Sequence, residues 1–461
     1  MRDRFSMRTL TGLLAAGILA GCATPDRRTL PPESKPIGVH VPTVDQRLPH
    51  RRPEAVPDAV PEPSGNIGLE QALAASLMRN PELQAFSYAT RAAEARLLQA
   101  GVLPNPRIAF DIDEYDRGGE GFDSAETAVV LSQPFELGGK RRWRKQLAEA
   151  EGELAGWEYE SKRLDIVAET ARRFVQVLAA RERLELARSA VELAEKTHLA
   201  VTEHVKAGKE APQQASKSSA ELEMARLDAL GAENGLSIAR NRLAAMWGAK
   251  QVLFDRVEGS LNQDHKAVPS LEMLRAKLGA NPDMARWDAV LRLRRAEVAA
   301  AKAARIPELE ASVGYLQYEE DETDAFAFGI GLPLPIFDQN RGNIAAAQHG
   351  LAESERERGA KELALSVELS ESHAKLTAAH QRVGTLRTKV VPAMEQAFEA
   401  AREGYQQGKI GFLEMLDAQR GLFEARSALV EALFAYHAAL IDIQRITATT
   451  NEVLNGEAPQ N

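Results

Sequence analysis

Ile306-Pro307-Glu308-Leu309-Glu310-Ala311-Ser312-Val313-Gly314-Tyr315, followed by Asp324-Ala325-Phe326-Ala327-Phe328-Gly329-Ile330-Gly331-Leu332, is the stretch that decides the fold. In its second half Phe326, Phe328, Ile330 and Leu332 alternate with Ala325, Ala327, Gly329 and Gly331. That is strict period two, with bulky apolar groups on one face and almost nothing on the other. Upstream, Leu309, Ala311, Val313 and Tyr315 alternate with Glu308, Glu310, Ser312 and Gly314. The acidic run from Glu319 to Asp324 joins the two, so the stretch reads as a β-hairpin with a charged loop. Such faces suit a wall with lipid outside and water inside. Each strand has roughly 9 to 11 residues, the length that crosses a bilayer at a tilt.

The pattern occurs twice. Ile108, Phe110 and Ile112 alternate with Ala109, Asp111 and Asp113, and Thr127, Val129 and Leu131 alternate with Glu126, Ala128, Val130 and Ser132. The surroundings repeat as well. Asn80-Pro81-Glu82-Leu83 returns as Asn281-Pro282-Asp283-Met284, Pro104 as Pro307, Pro134 as Pro335, and Gly208-Lys209 as Gly408-Lys409. An offset that stays near roughly two hundred residues marks a tandem duplication.

The chain has 461 residues, of which 27% are charged, 44% hydrophobic and only 5% aromatic, a balance that favours long helices. A net charge of −9 does not suit nucleic-acid binding, which needs a basic face. Arg2, Arg4 and Arg8 precede an apolar core, Leu10 to Ala20, which closes with Leu19-Ala20-Gly21-Cys22. This resembles a bacterial lipoprotein signal, cleaved before a cysteine that then carries the lipid. Cys22 is the only cysteine in the chain. Ala23 follows it, where Asp would resemble an inner-membrane retention signal, so delivery to the outer membrane is expected. From Ala23 to Ser64 ten prolines forbid helix and suggest an extended tether.

The remaining chain reads as helices. One runs from about Leu69 to Ala100 with a break at Pro81. A very long one runs from about Arg141 to Lys206, where Leu164, Ala171 and Leu178 step by seven. At 1.5 Å per residue it spans about 100 Å. Gly208 and Pro212 stop it and start another, ending near Trp247. The second repeat has short helices near Leu271–Arg305 and Phe412–Thr447 flanking a long one near Ile344–Gln407, with a bend expected at Pro392. The short helices are each about half the long one, so two placed end to end match its height. The expected division is a signal peptide at 1–21, a lipidated tether at 22–65, a first repeat at 66–255, a linker or equatorial belt at 256–269, a second repeat at 270–448 and a tail at 449–461.

Four membrane strands cannot close a barrel, and an open edge in lipid leaves backbone groups unpaired. The barrel must be shared. Two chains would give about eight strands, whose interior side chains fill completely, whereas three give about twelve with room for a passage. The expected fold class is mainly α with β: a trimeric twelve-stranded transmembrane β-barrel continued by a periplasmic α-helical barrel.

The lipobox, two hairpins and two sets of long and half-length helices together resemble the TolC-type outer-membrane efflux channels over about Leu69 to Thr447. Asn80-Pro81-Glu82-Leu83, Gln133-Pro134-Phe135-Glu136-Leu137-Gly138-Gly139-Lys140-Arg141 and Leu416-Asp417-Ala418-Gln419-Arg420 resemble the heavy-metal (CzcC/CusC-like) branch. The resemblance implies a homotrimer that meets a periplasmic adaptor (a membrane fusion protein) and a resistance-nodulation-division pump of the inner membrane. It implies a passive conduit, with no catalysis and no cofactor.

Candidate functional residues follow. Asp111, Asp113, Glu126, Glu308 and Glu310 fall on the polar parity of their strands, and a ring of carboxylates in a pore favours cations. The turns Gly208-Lys209 and Gly408-Lys409 lie about 100 Å from the barrel by helix rise and are candidate adaptor-contacting tips. Glu414 and Asp417 are three apart on one helix face and match the acidic positions that the family points into its periplasmic constriction. Gln214 and Lys217 stand there in the first repeat, so the two tips differ. Metal cations are the expected cargo, with drugs or other small molecules as the alternative. A periplasmic coiled-coil adaptor or scaffold would explain the heptads but not the strands. An enzyme has little support: His198, His204, His373 and His380 form no metal-ligand motif, and there is no nucleophile elbow or phosphate loop.

Overall fold

A computed structural model describes residues 62–113, 126–262, 267–318 and 323–449. Cys22, the lipobox, the tether up to residue 61 and the tail from residue 450 lie outside the described residues, as do both hairpin loops. The elements run β1 (Gly65–Ile67), α1 (Leu69–Arg79), α2 (Pro81–Ala100), β2 (Arg107–Asp113), β3 (Glu126–Phe135), α3 (Lys140–Lys206) and α4 (Pro212–Ala244). After β4 (Phe254–Val257) come α5 (Leu271–Arg275), α6 (Pro282–Ala304), β5 (Leu309–Tyr318), β6 (Thr323–Gly331), α7 (Arg341–Thr385), α8 (Val391–Gln406) and α9 (Phe412–Thr447).

Both expected hairpins form, and they join. The sheet order is β2-β3-β5-β6, every neighbour antiparallel, so the second strand of repeat one pairs with the first of repeat two. Register carries the apolar parity across all four strands. Ile108, Leu131, Val313 and Phe328 form one row, and Phe110, Val129, Tyr315 and Phe326 the next. Since side chains alternate, a slip of one residue at any ladder would send an aromatic to the other face.

The helices stack as their lengths require, and one residue type in each repeat fastens the stack. Asn80 ends α1 and caps α2, its side-chain oxygen accepting from the amides of Glu82 and Leu83. Its side-chain nitrogen donates to the Met246 carbonyl, just past α4, at 2.8 Å. Asn281 caps α6 in the same way and donates to the Ile446 carbonyl near the end of α9 at 2.7 Å. In the sequence Asn-Pro marks a helix break and a landmark of the repeat. In the fold it also ties one half-length helix to the end of the other and gives a helix-end carbonyl its donor.

α3 is one unbroken helix of 67 residues, and its heptad residues Leu164, Ala168, Ala171, Val175 and Leu178 are buried. Ala168, Ala171, Val175 and Leu178 enter the main core with Leu243, Trp247, Phe254, Leu376, Leu433 and Ile441. The second long helix is interrupted as expected. Pro392 lacks an N–H, and the chain absorbs the fault in a π-helical segment, Leu386–Val390, between α7 and α8.

The segment expected to form an equatorial belt contains a strand. β4 pairs in parallel with β1, and Ile67, Phe254, Val257 and Leu261 are buried beneath it. His437 and His373 bond through their ring nitrogens to the carbonyls of Leu261 and Pro269, and Arg181 donates to the carbonyls of Val257 and Gly259. Those histidines therefore fasten the belt to α7 and α9.

Candidate conduit: the sheet face and the helical turns

The sheet presents one mainly apolar parity to the outside of the chain. Phe328 is 83% exposed and Ile330 78%, with Phe110, Ile112 and Phe326 also bare. Exposed aromatics and isoleucines in adjoining rows form a patch that water would not tolerate on an ordinary soluble protein. The other parity carries Ala109, Asp111, Ala128, Ser312, Gly314, Ala327 and Gly329, which are small or polar. Among the described residues no helix is long and apolar enough to cross a membrane.

The expected acidic positions divide. Asp111 and Glu310 lie in β2 and β5 on the small, polar parity and are exposed; Glu126 shares that parity and is half-buried. Asp113 pairs in register with Glu126. Glu308 is set apart by an ion pair. It precedes β5, and Lys140 at the start of α3 lies 2.9 Å from its Oε1, so its charge is answered within the chain.

The junction between sheet and helices explains Gly138-Gly139-Lys140-Arg141. Arg141 donates to the Gly101 carbonyl at 2.7 Å, and Arg144 donates to the carbonyls of Ala100 and Val102 at 3.0 Å while pairing with Glu136. These are the unsatisfied carbonyls at the end of α2, and two guanidinium groups close them. The sequence signal was present, but it takes the folded contact to show that the basic run caps another helix.

At the far end, both Gly-Lys turns have the same construction. Gly208 has φ 69 and Gly408 φ 71, the left-handed region that a side chain disfavours. The amides of Lys209 and Lys409 reach back to the carbonyls of His204 and Gly404 at 2.9 and 2.8 Å, closing each helix end. Lys209 and Lys409 are exposed. Just beyond, Phe412, Met415 and Leu416 turn inward and pack with Val201 and Tyr405. Glu414 and Asp417 take the opposite face of α9 and are exposed, with no ion pair among the described residues. In the first repeat Lys217 is exposed and Gln214 half-buried. The inequality of the tips therefore persists in three dimensions.

A sheet with bare apolar parity and unpaired edges, set on full-length and half-length helices in two repeats, defines a TolC-like outer-membrane channel subunit. The chain belongs to the outer membrane efflux protein family, whose pattern matches residues 72–249 and 273–449. It is 32% identical to the cobalt-zinc-cadmium resistance protein CzcC of Cupriavidus metallidurans, over 84% of this chain and 91% of that protein. It is 27% identical to the nickel and cobalt resistance protein CnrC of the same organism, over 65% of this chain and 70% of that protein. A crystal structure of CusC shares the fold with a TM-score of 0.72, covering 87% of this chain and 98% of that one at 17% identity.

Proposed function

We propose that this efflux channel is the outer-membrane member of a tripartite system that expels heavy-metal cations, with divalent cobalt, zinc and cadmium as the first candidates. The observation that carries the cargo is the 32% identity to CzcC, spread across nearly the whole of both proteins. The channel is a homotrimer: three sheets of four strands close one twelve-stranded barrel, which removes every edge from lipid. Its small, polar parity lines the lumen, with Asp111, Asp113, Glu126 and Glu310 biasing it towards cations. The helices continue the passage into the periplasm. There the turns at Gly208-Lys209 and Gly408-Lys409 meet a periplasmic adaptor and, through it, a proton-driven inner-membrane pump. Glu414 and Asp417 stand at the narrow end, and Cys22 carries the lipid anchor. The protein supplies a path and catalyses nothing.

A strain lacking the gene tests the cargo. Loss of growth on cobalt, zinc or cadmium, restored by the intact chain, supports the reading. Sensitivity to dyes and antibiotics alone would move the protein to small-molecule export.

A further inference from the structure

The end of the sheet nearest the helices carries a charge of its own. Residues 96–106, 135–145, 302–308 and 335–345, where α2 and α6 end and α3 and α7 begin, hold nine basic side chains and three acidic ones in a chain of net charge −9. The far end of the same strands is the reverse, with ten acidic residues and one basic across 114–126 and 319–324. Hydrogen bonds hold the four helix ends in one layer. Arg144 donates to the Ala100 carbonyl, Lys140 to Glu308, and Asn340 to the Ala301 carbonyl at 2.7 Å. Lys140 and Arg144 have carboxylate partners. The other seven cations, Arg96, Arg142, Lys145 and Lys302 among them, are exposed and form no ion pair among the described residues. An apolar rim separates this layer from the strands. Val102, Leu103, Leu137, Leu334, Ile336 and Phe337 are exposed along it, and Phe337 is 99% exposed. The two meet in an open cavity of about 450 Å³ between α2 and α3, where Arg96 and Arg144 stand over Val102, Leu103 and Leu147, with Glu151 also on the wall. Pro104 forms part of the same wall. Gln133, on the parity of Leu131 and Val129, donates to the Pro104 carbonyl at 3.0 Å, so the wall reaches the apolar side of the sheet. Arg142, two residues before Arg144, lies over the Trp143 ring at 5.3 Å, a cation and an aromatic of the kinds that gather at bilayer interfaces.

We propose that this layer selects anionic phospholipid from the periplasmic leaflet of the membrane, and that the cavity between α2 and α3 seats one such headgroup. The inference rests on the outer-membrane channel reading and adds to it the chemistry of the lipid bound. Arg96 takes the phosphate diester, and Val102, Leu103 and Leu147 take the glycerol and the first acyl carbons. A phosphate diester is charged at every pH the periplasm reaches, and a guanidinium can bond two of its oxygens at once. Long arginine and lysine stems lie along apolar surface while their heads stay among the headgroups. Salt screens exposed charges beyond about 10 Å, so only lipid at this depth feels the layer. Phosphatidylglycerol should therefore be enriched beside the protein over phosphatidylcholine, which has no net charge. The acidic far end repels the same lipid, and the two ends together fix which way the chain sits in the bilayer. A protein partner fits less well. The cations border an apolar rim that continues the bare face of Phe328 and Ile330, and that face already belongs to lipid.

Lipid retained by the full-length protein tests it. Extracted from vesicles of equimolar phosphatidylcholine and phosphatidylglycerol, the oligomer should keep phosphatidylglycerol several-fold over phosphatidylcholine in its native mass spectrum. Arg96→Gln with Lys145→Gln should lower that preference several-fold and leave phosphatidylcholine retention and the oligomer as they were. Arg142→Gln alone should act in the same direction, and it carries the test if the double variant fails to assemble. Lys250→Gln with Lys277→Gln, exposed lysines near β4 and α5, should change nothing. Equal retention of the two lipids overturns the proposal, as does a preference that survives the Arg96, Arg142 and Lys145 variants. Displacement of the lipid by millimolar inorganic phosphate would make the cavity a simple anion site and overturn the assignment to phospholipid. An unmodified chain missing from outer-membrane fractions overturns the channel reading itself, whereas a channel present there without the preference overturns this inference alone.

Discussion

Arg445 and Asp283 join the end of α9 to the start of α6: Nη1 of the arginine lies 2.8 Å from Oδ2 of the aspartate, with both side chains largely buried. Asp165 on α3 takes the other side of the same guanidinium at 2.7 Å, and Ser161 also bonds Asp283. Three helices from both repeats therefore meet in one charge cluster, beside the Asn281 cap. Burial alone would raise the Asp283 carboxyl. Hydrogen bonds from Arg445 and Ser161, and the charges of Arg445 and Lys361, hold it below the ordinary aspartate value. A depressed carboxyl contributes stability that is fully present above its unfolded value of about 3.9 and is lost as pH falls through the folded one. Melting temperature should fall below about pH 4, and less steeply in Asp283→Asn. Equal acid limbs in the two proteins would remove Asp283 from the account.

His437 adds a second window. Burial lowers its affinity for a proton, against the bond to the Leu261 carbonyl, so the folded chain holds it neutral. Its contribution is complete above about pH 6.5 and declines as pH drops through the folded value. The belt should then loosen first, seen as lower amide protection near Leu261, relative to the intrinsic exchange rate, at pH about 5 than at 7. His437→Gln should flatten that difference.

The two asparagine ties should outweigh ordinary caps. Asn281→Ala removes a cap and leaves the buried Ile446 carbonyl without its side-chain donor, a cost of about 2–3 kcal/mol. Asn281→Asp keeps the capping oxygen but loses the donor, so it should not restore the melting temperature. Recovery to the unmodified value would mean that capping alone matters.

The lumen carboxylates should separate by measurement. In planar bilayers Asp111→Asn, Glu126→Gln and Glu310→Gln should each reduce cation preference, read from the reversal potential. Glu308→Gln should leave selectivity alone and cost under about 1 kcal/mol of stability, as expected for a partly exposed ion pair. An equal shift from Glu308→Gln would return that residue to the pore.

At the narrow end, alanine at both Glu414 and Asp417 should weaken block by divalent cations while the oligomer persists, because neither side chain takes part in the packing around Phe412. Unchanged conductance and block would leave the two as favourable charges at a helix start, each worth a few tenths of a kcal/mol at about the exposed-site value. Cys22→Ser, separately, should abolish labelling by a lipid precursor without emptying the membrane fraction.

The period-two runs at Ile108–Ser132 and Leu309–Leu332 determined the strands, because alternation is a local property of the backbone that needs no partner to be read. Heptads set the core face of α3, prolines and glycines set the ends of the helices, and the repeated Asn-Pro, Pro and Gly-Lys landmarks set the duplication. Other features needed contacts between residues far apart in the chain. That β3 pairs with β5 depends on register between repeats, which periodicity leaves free. Glu308 looks like its acidic neighbours until Lys140, 168 residues away, neutralises it. The strand Phe254–Val257 is too short to announce itself and exists because Gly65–Ile67 pairs beside it over a buried core. Asn80 and Asn281 could be read as caps, since a cap bonds its own helix. Their second bonds, to Met246 and Ile446, appear only where tertiary packing brings two helix ends together and a buried carbonyl needs a donor.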